Sequence, residues 1–234
     1  MGKLIILSGP SCVGKGPLVD TLNLYYKSVG LLEPHKHVLY TSRAMRPGEE
    51  NGKTYHFWSK AEQDVAAAKN SKCMTFSVHA DQQMINFETL ENELNMYDVV
   101  LVEIFINQVS AVLNECKKYK ITAKQIFVSP LSKNDFKAIQ GLYKNKNGRE
   151  IALIAAMITK LANRGTETTA KQIKRSMNAP VEMQSAIASG AEIVCNHFGE
   201  DNKRLWKLLQ EFIREPGSLE ITKTFIEFLE VVER

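Results

Sequence analysis

The sequence predicts an α/β fold, a parallel sheet flanked by helices, and three observations predict it. Short apolar, β-rich runs recur at 4–7, 37–40, 73–78, 98–104, 124–128 and 192–195. Stretches with helical patterning separate most of them, and this alternation favours a parallel sheet covered on both faces. Between the first run and the first amphipathic stretch lies Gly9-Pro10-Ser11-Cys12-Val13-Gly14-Lys15, a glycine-rich connection from strand to helix.

That connection has the spacing G-x-x-x-x-G-K, which after a strand and before a helix makes a phosphate cradle. Successive backbone N–H groups wrap a polyphosphate, and the helix N-terminus adds partial positive charge. Lys15 would bring a mobile full charge to the β/γ-phosphates. The motif normally ends in Ser or Thr, whose hydroxyl helps hold Mg²⁺, but here Gly16 and Pro17 follow. Proline is tolerated in a first helical turn, where its missing N–H has no intrahelical partner. The fold is therefore unharmed, while the metal-side hydroxyl is missing. Cys12 stands at a helix N-terminus that could lower its pKa, but it reads first as a small residue that happens to fit the loop.

Further along, Ser59-Lys60-Ala61-Glu62 has the spacing of a capping box and opens a helix through Ala66-Ala67-Ala68. Two segments break the alternation. Residues 40–57 are polar and carry Arg43, Arg46, Gly48, Glu49, Gly52 and Tyr55. Two arginines three apart, beside a glycine turn and a tyrosine hydroxyl, can converge on one phosphate monoester, because guanidinium forks pair two oxygens at once. Taken alone, the pair is equally well a solvated basic loop. Residues 144–149 (Lys-Asn-Lys-Asn-Gly-Arg) read as a turn-rich basic link between 132–143 and an apolar helix over 151–161. After Pro216-Gly217, an amphipathic helix with Phe225, Phe228, Leu229 and Val232 looks like an appendage packed on the body. There is no internal repeat.

Bulk properties narrow the function classes. A chain of 234 residues suits one α/β domain, with room for a small inserted lid. A net charge of +4 fits anionic small substrates and is too weak to argue for nucleic acid. Cys12, Cys73, Cys116 and Cys195 show no C-x-x-C spacing, so neither zinc nor a disulfide framework is suggested. Met-Gly-Lys leads straight into the first strand, leaving no room for a signal peptide. No apolar run approaches the ~20 residues that cross a bilayer. The expectation is a cytoplasmic protein with small-molecule partners, neither nucleic acid nor membrane.

The segment Thr41-Ser42-Arg43-Ala44-Met45-Arg46-Pro47-Gly48-Glu49, continuing to Gly52, Tyr55 and Phe57, closely resembles the acceptor-phosphate motif of guanylate kinases, T-T-R-x-x-R-x-G-E-x-x-G-x-x-Y-x-F. The loop at 9–15 resembles that family's G-P-S-G-x-G-K. Arg164-Gly165-Thr166-Glu167-Thr168, followed by Ile173-Lys174-Arg175, resembles its lid. Asn196, after Glu192-Ile193-Val194-Cys195, matches a strand-ending Asn near the donor adenine. The motifs occur in family order across roughly residues 3 to 213. The resemblance implies a P-loop NTPase-type parallel sheet with an acceptor-binding subdomain (about 37–96) and a helical lid (about 131–180, enlarged by an insertion). The family domain would cover 1–215, with 216–234 a helical extension.

It also implies roles. Arg43, Arg46 and Tyr55 would hold the acceptor phosphate, with Glu49 orienting the arginines. Gly9, Pro10, Ser11, Cys12, Val13, Gly14, Lys15, Gly16 and Asn196 would bind ATP. Lys15, Lys160, Arg164 and Arg175 would act on the transferring phosphoryl group, a step that depends on alignment and charge screening. ATP and Mg²⁺ are the implied cofactors, the ion held by phosphates with Glu103 as an outer-shell carboxylate.

The chain departs from the family where the family reads guanine. No Tyr-Tyr-Gly segment occurs; Met74-Thr75-Phe76-Ser77-Val78-His79-Ala80-Asp81-Gln82-Gln83-Met84 stands in its place. The L-D-I-D strand appears as Leu101-Val102-Glu103-Ile104-Phe105, so Phe105 falls where the base-reading Asp would be. An unpaired buried donor costs roughly 1–3 kcal/mol, and two such losses would remove most discrimination for guanine. His79, Asp81, Gln83 and Glu103 are the polar groups placed to read an acceptor instead, although Asp81 to Gln83 could be a solvated turn. The expectation is an ATP-dependent kinase acting on GMP or a related phosphate-bearing acceptor. The alternative is a non-catalytic guanylate-kinase-like module that binds phosphorylated peptides or proteins.

Overall fold

The computed structural model describes residues 1–10, 13–78, 80–142, 145–161, 177–196 and 223–234. Among these are nine strands and eight helices in an α/β arrangement. The larger sheet has the order β2-β7-β1-β8-β9, formed by β1 (Lys3–Ser8), β2 (His35–Lys36), β7 (Val99–Glu103), β8 (Ala123–Ser129) and β9 (Glu192–Cys195). β2 runs parallel to β7, and β8 parallel to β9. Leu4, Ile5, Ile6 and Leu7 of β1 are completely buried. A continuous apolar run, rather than an alternating one, is what a strand covered on both faces requires. The chain divides into two compact units, Met1–Ile5 with Pro34–Ala123, and Ile6–Glu33 with Lys124–Arg234.

The first unit carries a second, mixed sheet of order β4-β3-β6-β5, built from β3 (Tyr40–Thr41), β4 (His56–Phe57), β5 (Cys73–Val78) and β6 (Asp81–Asn86). β3 pairs parallel with β4 and antiparallel with β6, while β5 and β6 run antiparallel from Cys73↔Asn86 to Val78↔Asp81. α2 (Lys60–Lys69) begins with the expected capping box: the Ser59 hydroxyl accepts from Glu62 N–H, and the Glu62 carboxylate accepts from Ser59 N–H. α3 (Phe87–Met96) is capped by Asn86 and buries Phe87, Leu90 and Leu94. α4 (Ile106–Lys118) buries Ile106, Val109, Val112 and Cys116, the i, i+3, i+6, i+10 stripe of an amphipathic helix.

The second unit holds α1 (Lys15–Ser28), α5 (Lys133–Leu142), α6 (Lys146–Leu161), α7 (Ala179–Ala188) and α8 (Lys223–Glu233), together with β8 and β9. α8 packs on α1 and β9. Its Phe225 and Phe228 are fully buried, and the Phe225 ring meets Tyr25 edge-on at 5.9 Å. Lys124 Nζ donates to the Val231 carbonyl at 3.1 Å.

Two expectations and one alternative reading need correction. The run 37–40 is not one strand: residues 37–39 lie between β2, which ends at Lys36, and β3, which begins at Tyr40. They cross between the two sheets, with His37 N–H donating to the Leu101 carbonyl and Leu39 buried, so the run is apolar because it is covered. Asp81 to Gln83 are not a solvated turn but the start of β6, polar because that end of the sheet is half-exposed. The basic link at 144–149 is largely the first turn of α6, which starts at Lys146. Asn145 Oδ1 accepts from Gly148 N–H and replaces a missing intrahelical partner.

Candidate functional site

Two groups of polar side chains stand out, one in each unit. In the second unit, β1 ends at Ser8 and the chain turns through the glycine-rich loop into α1. Gly9 sits at φ 144°, and a Cβ there would lie 2.3 Å from the Val128 carbonyl oxygen. Only glycine permits this approach of the loop to β8. Gly14 precedes α1 in the left-handed region at φ 94°. Lys15 Nζ donates to the Gly9 carbonyl at 2.9 Å and to the Pro10 carbonyl at 3.1 Å, so its ammonium lies over the loop. Asn196, just past β9 and 2% exposed, donates from Nδ2 to the Val13 carbonyl at 2.5 Å. Gly16 and Pro17 fall within the first turn of α1, as expected.

Glu182 on α7 carried no prior assignment. It is buried, and burial pushes its carboxyl up to about 7 against the opposing pull of Lys15. A lone Glu within the otherwise apolar Ala179-Pro180-Val181-Glu182-Met183 was the signal available in the sequence.

In the first unit, Arg46-Pro47-Gly48-Glu49 forms a turn closed by Glu49 N–H donating to the Arg46 carbonyl at 3.1 Å. Pro followed by Gly at φ 82° is the pattern of a type II turn. The turn returns the Glu49 carboxylate to Arg43. Nη1 of Arg43 donates to Glu49 Oε2 at 2.6 Å, and Nη2 donates to Oε1. Arg46 N–H donates to the same carboxylate at 2.8 Å. Hydrogen bonding to Arg43 holds the Glu49 carboxyl below the usual carboxylate range, and in return raises the Arg43 guanidinium. The guanidinium lies over the Tyr55 ring at 5.0 Å and the Phe57 ring at 5.5 Å. Desolvation, followed by the Glu103 carboxylate, raises the Tyr55 hydroxyl. The Arg46 side chain is exposed.

Two carboxylates border this group. Asp81, at the start of β6, adds to the field favouring charged Arg43. Glu103 ends β7 and faces Lys36 of β2 at 3.6 Å. Gln83 pairs across the sheet with Thr41 and with Phe76. Phe105 precedes α4 as its N-cap, half-buried, and offers no side-chain acceptor. In the first turn of α4, Gln108 Nε2 donates to the Ser77 carbonyl at 3.0 Å, which ties the start of α4 to the end of β5. The structure thus groups Arg43, Glu49 and Tyr55, with Asp81 and Glu103 in their field. Ser11, Cys12, His79, Arg164 and Arg175 lie outside the described residues, as does the side chain of Lys160.

Among the described residues, no group of three or more His, Cys, Asp or Glu could hold a metal ion, and no helix is long and apolar enough to cross a membrane.

Residues 1–180 match a family model described as Guanylate kinase. A guanylate kinase of Bifidobacterium longum is 26% identical over 212 residues, covering 89% of this chain and 93% of its own. One of Synechocystis is 26% identical over 215 residues, covering 90% and 94%. A crystal structure of guanylate kinase from Anaplasma phagocytophilum superposes with a TM-score of 0.50 over 90% of this chain and 85% of that one. At 18% identity, that likeness concerns the fold alone.

Proposed function

This chain belongs to the guanylate kinase family, and we propose that it transfers the γ-phosphoryl group of ATP to GMP or a related phosphate-bearing acceptor through an altered base pocket. Membership makes it a phosphotransferase of the nucleotide-kinase class. The observation that carries the finer reading is the Arg43–Glu49 pair, two hydrogen bonds that fix a guanidinium beside Tyr55. A guanidinium so fixed loses little rotamer freedom when a phosphate arrives, and the exposed Arg46 supplies the second fork.

The loop fits a polyphosphate. Gly9 lacks the side chain that would block its packing, Gly14 adopts the left-handed conformation of such loops, and Lys15 is at hand. On binding, Lys15 would exchange the Gly9 and Pro10 carbonyls for phosphate oxygens. The acceptor's phosphate oxygen attacks the γ-phosphorus in line, the bond to the β-bridging oxygen breaks, and ADP leaves. That oxygen is already anionic, so no general base is required. Mg²⁺, when bound, would supply charge screening to the phosphates; Gly16 and Pro17 after Lys15 offer it no hydroxyl, so water and phosphate would provide its ligands.

Phe105 in place of a carboxylate, with Asp81 and Gln83 on β6 and Glu103 at the end of β7 as candidate acceptors, supports a base pocket that does not repeat the family's guanine contacts. ADP release across a panel of nucleoside and sugar monophosphates tests this. The expected result is an acceptor other than GMP among the best, or weak preference for GMP. GMP favoured by orders of magnitude would show an ordinary base pocket. The same Gly16-Pro17 ending and Phe105 favour the binding-module reading. ATP titration in the presence of Mg²⁺, on wild type and Lys15→Ala, separates the two: no ATP affinity in wild type leaves only the module.

A further inference from the structure

The side chain of Asn196 bonds to the backbone of the glycine-rich loop at Val13. It is 2% exposed, and its Nδ2 donates to the Val13 carbonyl at 2.5 Å, across 183 residues of sequence. Its own N–H continues the β8–β9 ladder by donating to the Ser129 carbonyl at 2.8 Å. Asn196 is thereby anchored to the sheet at one end and to the loop at the other.

The consequence follows from peptide geometry. No peptide bond among the described residues is cis, and in a trans peptide the C=O and N–H point in opposite directions. Holding the Val13 carbonyl toward Asn196 therefore turns the Gly14 N–H the other way. Gly14 is the residue best able to let that peptide plane flip, because glycine is free on both sides of φ = 0 and here sits at φ 94°. A flip would present a carbonyl where a phosphate needs a donor, replacing attraction by repulsion. We propose that Asn196 is a positioning residue that locks the Val13–Gly14 peptide with its N–H available to the donor's phosphates. This role acts on the polyphosphate and not on the base. The proposal rests on the donor-site reading above.

Calorimetric titration of the full chain with ATP, GTP and inorganic tripolyphosphate provides the test, using wild type, Asn196→Ala and Asn196→Asp. Asn196→Ala should weaken all three about tenfold, by a similar factor each, since only a buried donor to the loop is lost. Asn196→Asp should be weaker still at pH 8, where a carboxylate faces the Val13 carbonyl. It should recover toward wild type at pH 5.5, where a protonated carboxyl can donate; Asn196→Ala should show no such recovery. Weakened ATP binding with unchanged tripolyphosphate binding would mean a base contact and overturn the proposal. Unchanged binding of all three would overturn it equally. Wild type failing to bind ATP and tripolyphosphate would instead sink the donor-site reading and this role with it. Should Asn196→Ala not fold, Asn196→Ser, which keeps a donor hydroxyl, and the pH response of Asn196→Asp decide the outcome.

Discussion

Glu49 reaches Arg43 with both carboxylate oxygens because Pro47-Gly48 reverses the chain within three residues. A paired guanidinium keeps its position before any acceptor arrives, and that preorganisation is what Glu49→Gln removes. The expected result is an acceptor KM raised about ten- to a hundredfold, with ATP KM unchanged, measured by steady-state ADP release. Equal increases for both substrates would argue for general loosening of the protein. Glu182 predicts the opposite kind of effect. Its carboxyl is raised from the usual range to about 7, chiefly by burial. Its favourable contribution is thus present below about 4.5, the ordinary value, and is lost as pH rises through 7. Glu182→Gln, which cannot ionise, should therefore be more stable than wild type at pH 8 by ~1–3 kcal/mol. The gain should shrink toward pH 5. Denaturant unfolding at both pH values checks the sign, and a loss at pH 8 would mean that Lys15 outweighs desolvation.

Elements explain why some of the site was legible and some was not. β1, the loop and α1 are specified locally: an apolar run, glycines where the backbone needs them, and a lysine. Gly9 is the sharpest case. Its Cβ would fall 2.3 Å from a backbone oxygen of β8, at a φ that side chains rarely adopt. Gly9→Ala should cost roughly 2–4 kcal/mol of stability and lose ATP binding, read by thermal unfolding with and without ATP. Retained ATP protection would show that the loop tolerates retreat from β8. The capping box of α2 was legible for the same local reason. β6 was not, because Asp81, Gln82 and Gln83 face a half-exposed sheet and resemble a turn in composition. Residues 37–39 misled in reverse, their run owing its pattern to burial in a crossover between β2 and β3. The contact of Asn196 with Val13 is set by β8–β9 pairing, and no local pattern announces a bond spanning 183 residues. The proposed base pocket is harder again, since Phe105 shows only that the expected acid is missing from that position and not what would read the acceptor.

At the scale of the whole molecule, the two groups proposed to hold phosphate belong to different compact units: Arg43, Glu49 and Tyr55 to one, and Gly9, Lys15 and Asn196 to the other. Stability of the two grips can therefore be perturbed separately, and α8 offers the means. Phe225 and Phe228 are both fully buried, Phe225 against Tyr25 of α1, and α8 also rests on β9. α1 begins at the loop lysine and β9 leads into Asn196, so α8 backs the two elements that carry the residues proposed for the donor site. Truncating a buried Phe to Ala typically costs about 3–5 kcal/mol, enough to threaten a domain whose total stability is of order 5–15 kcal/mol. Phe225→Ala should lower the thermal midpoint and weaken ATP binding. The acceptor KM, measured at saturating ATP well below that midpoint, should change little. Hydrogen exchange should localise the new lability to α1 and β9, with the amides of α2 and α3 protected as before. Loss of protection in α2 and α3 to the same extent would show that the chain opens as a single cooperative body, and that its donor and acceptor grips share one stability.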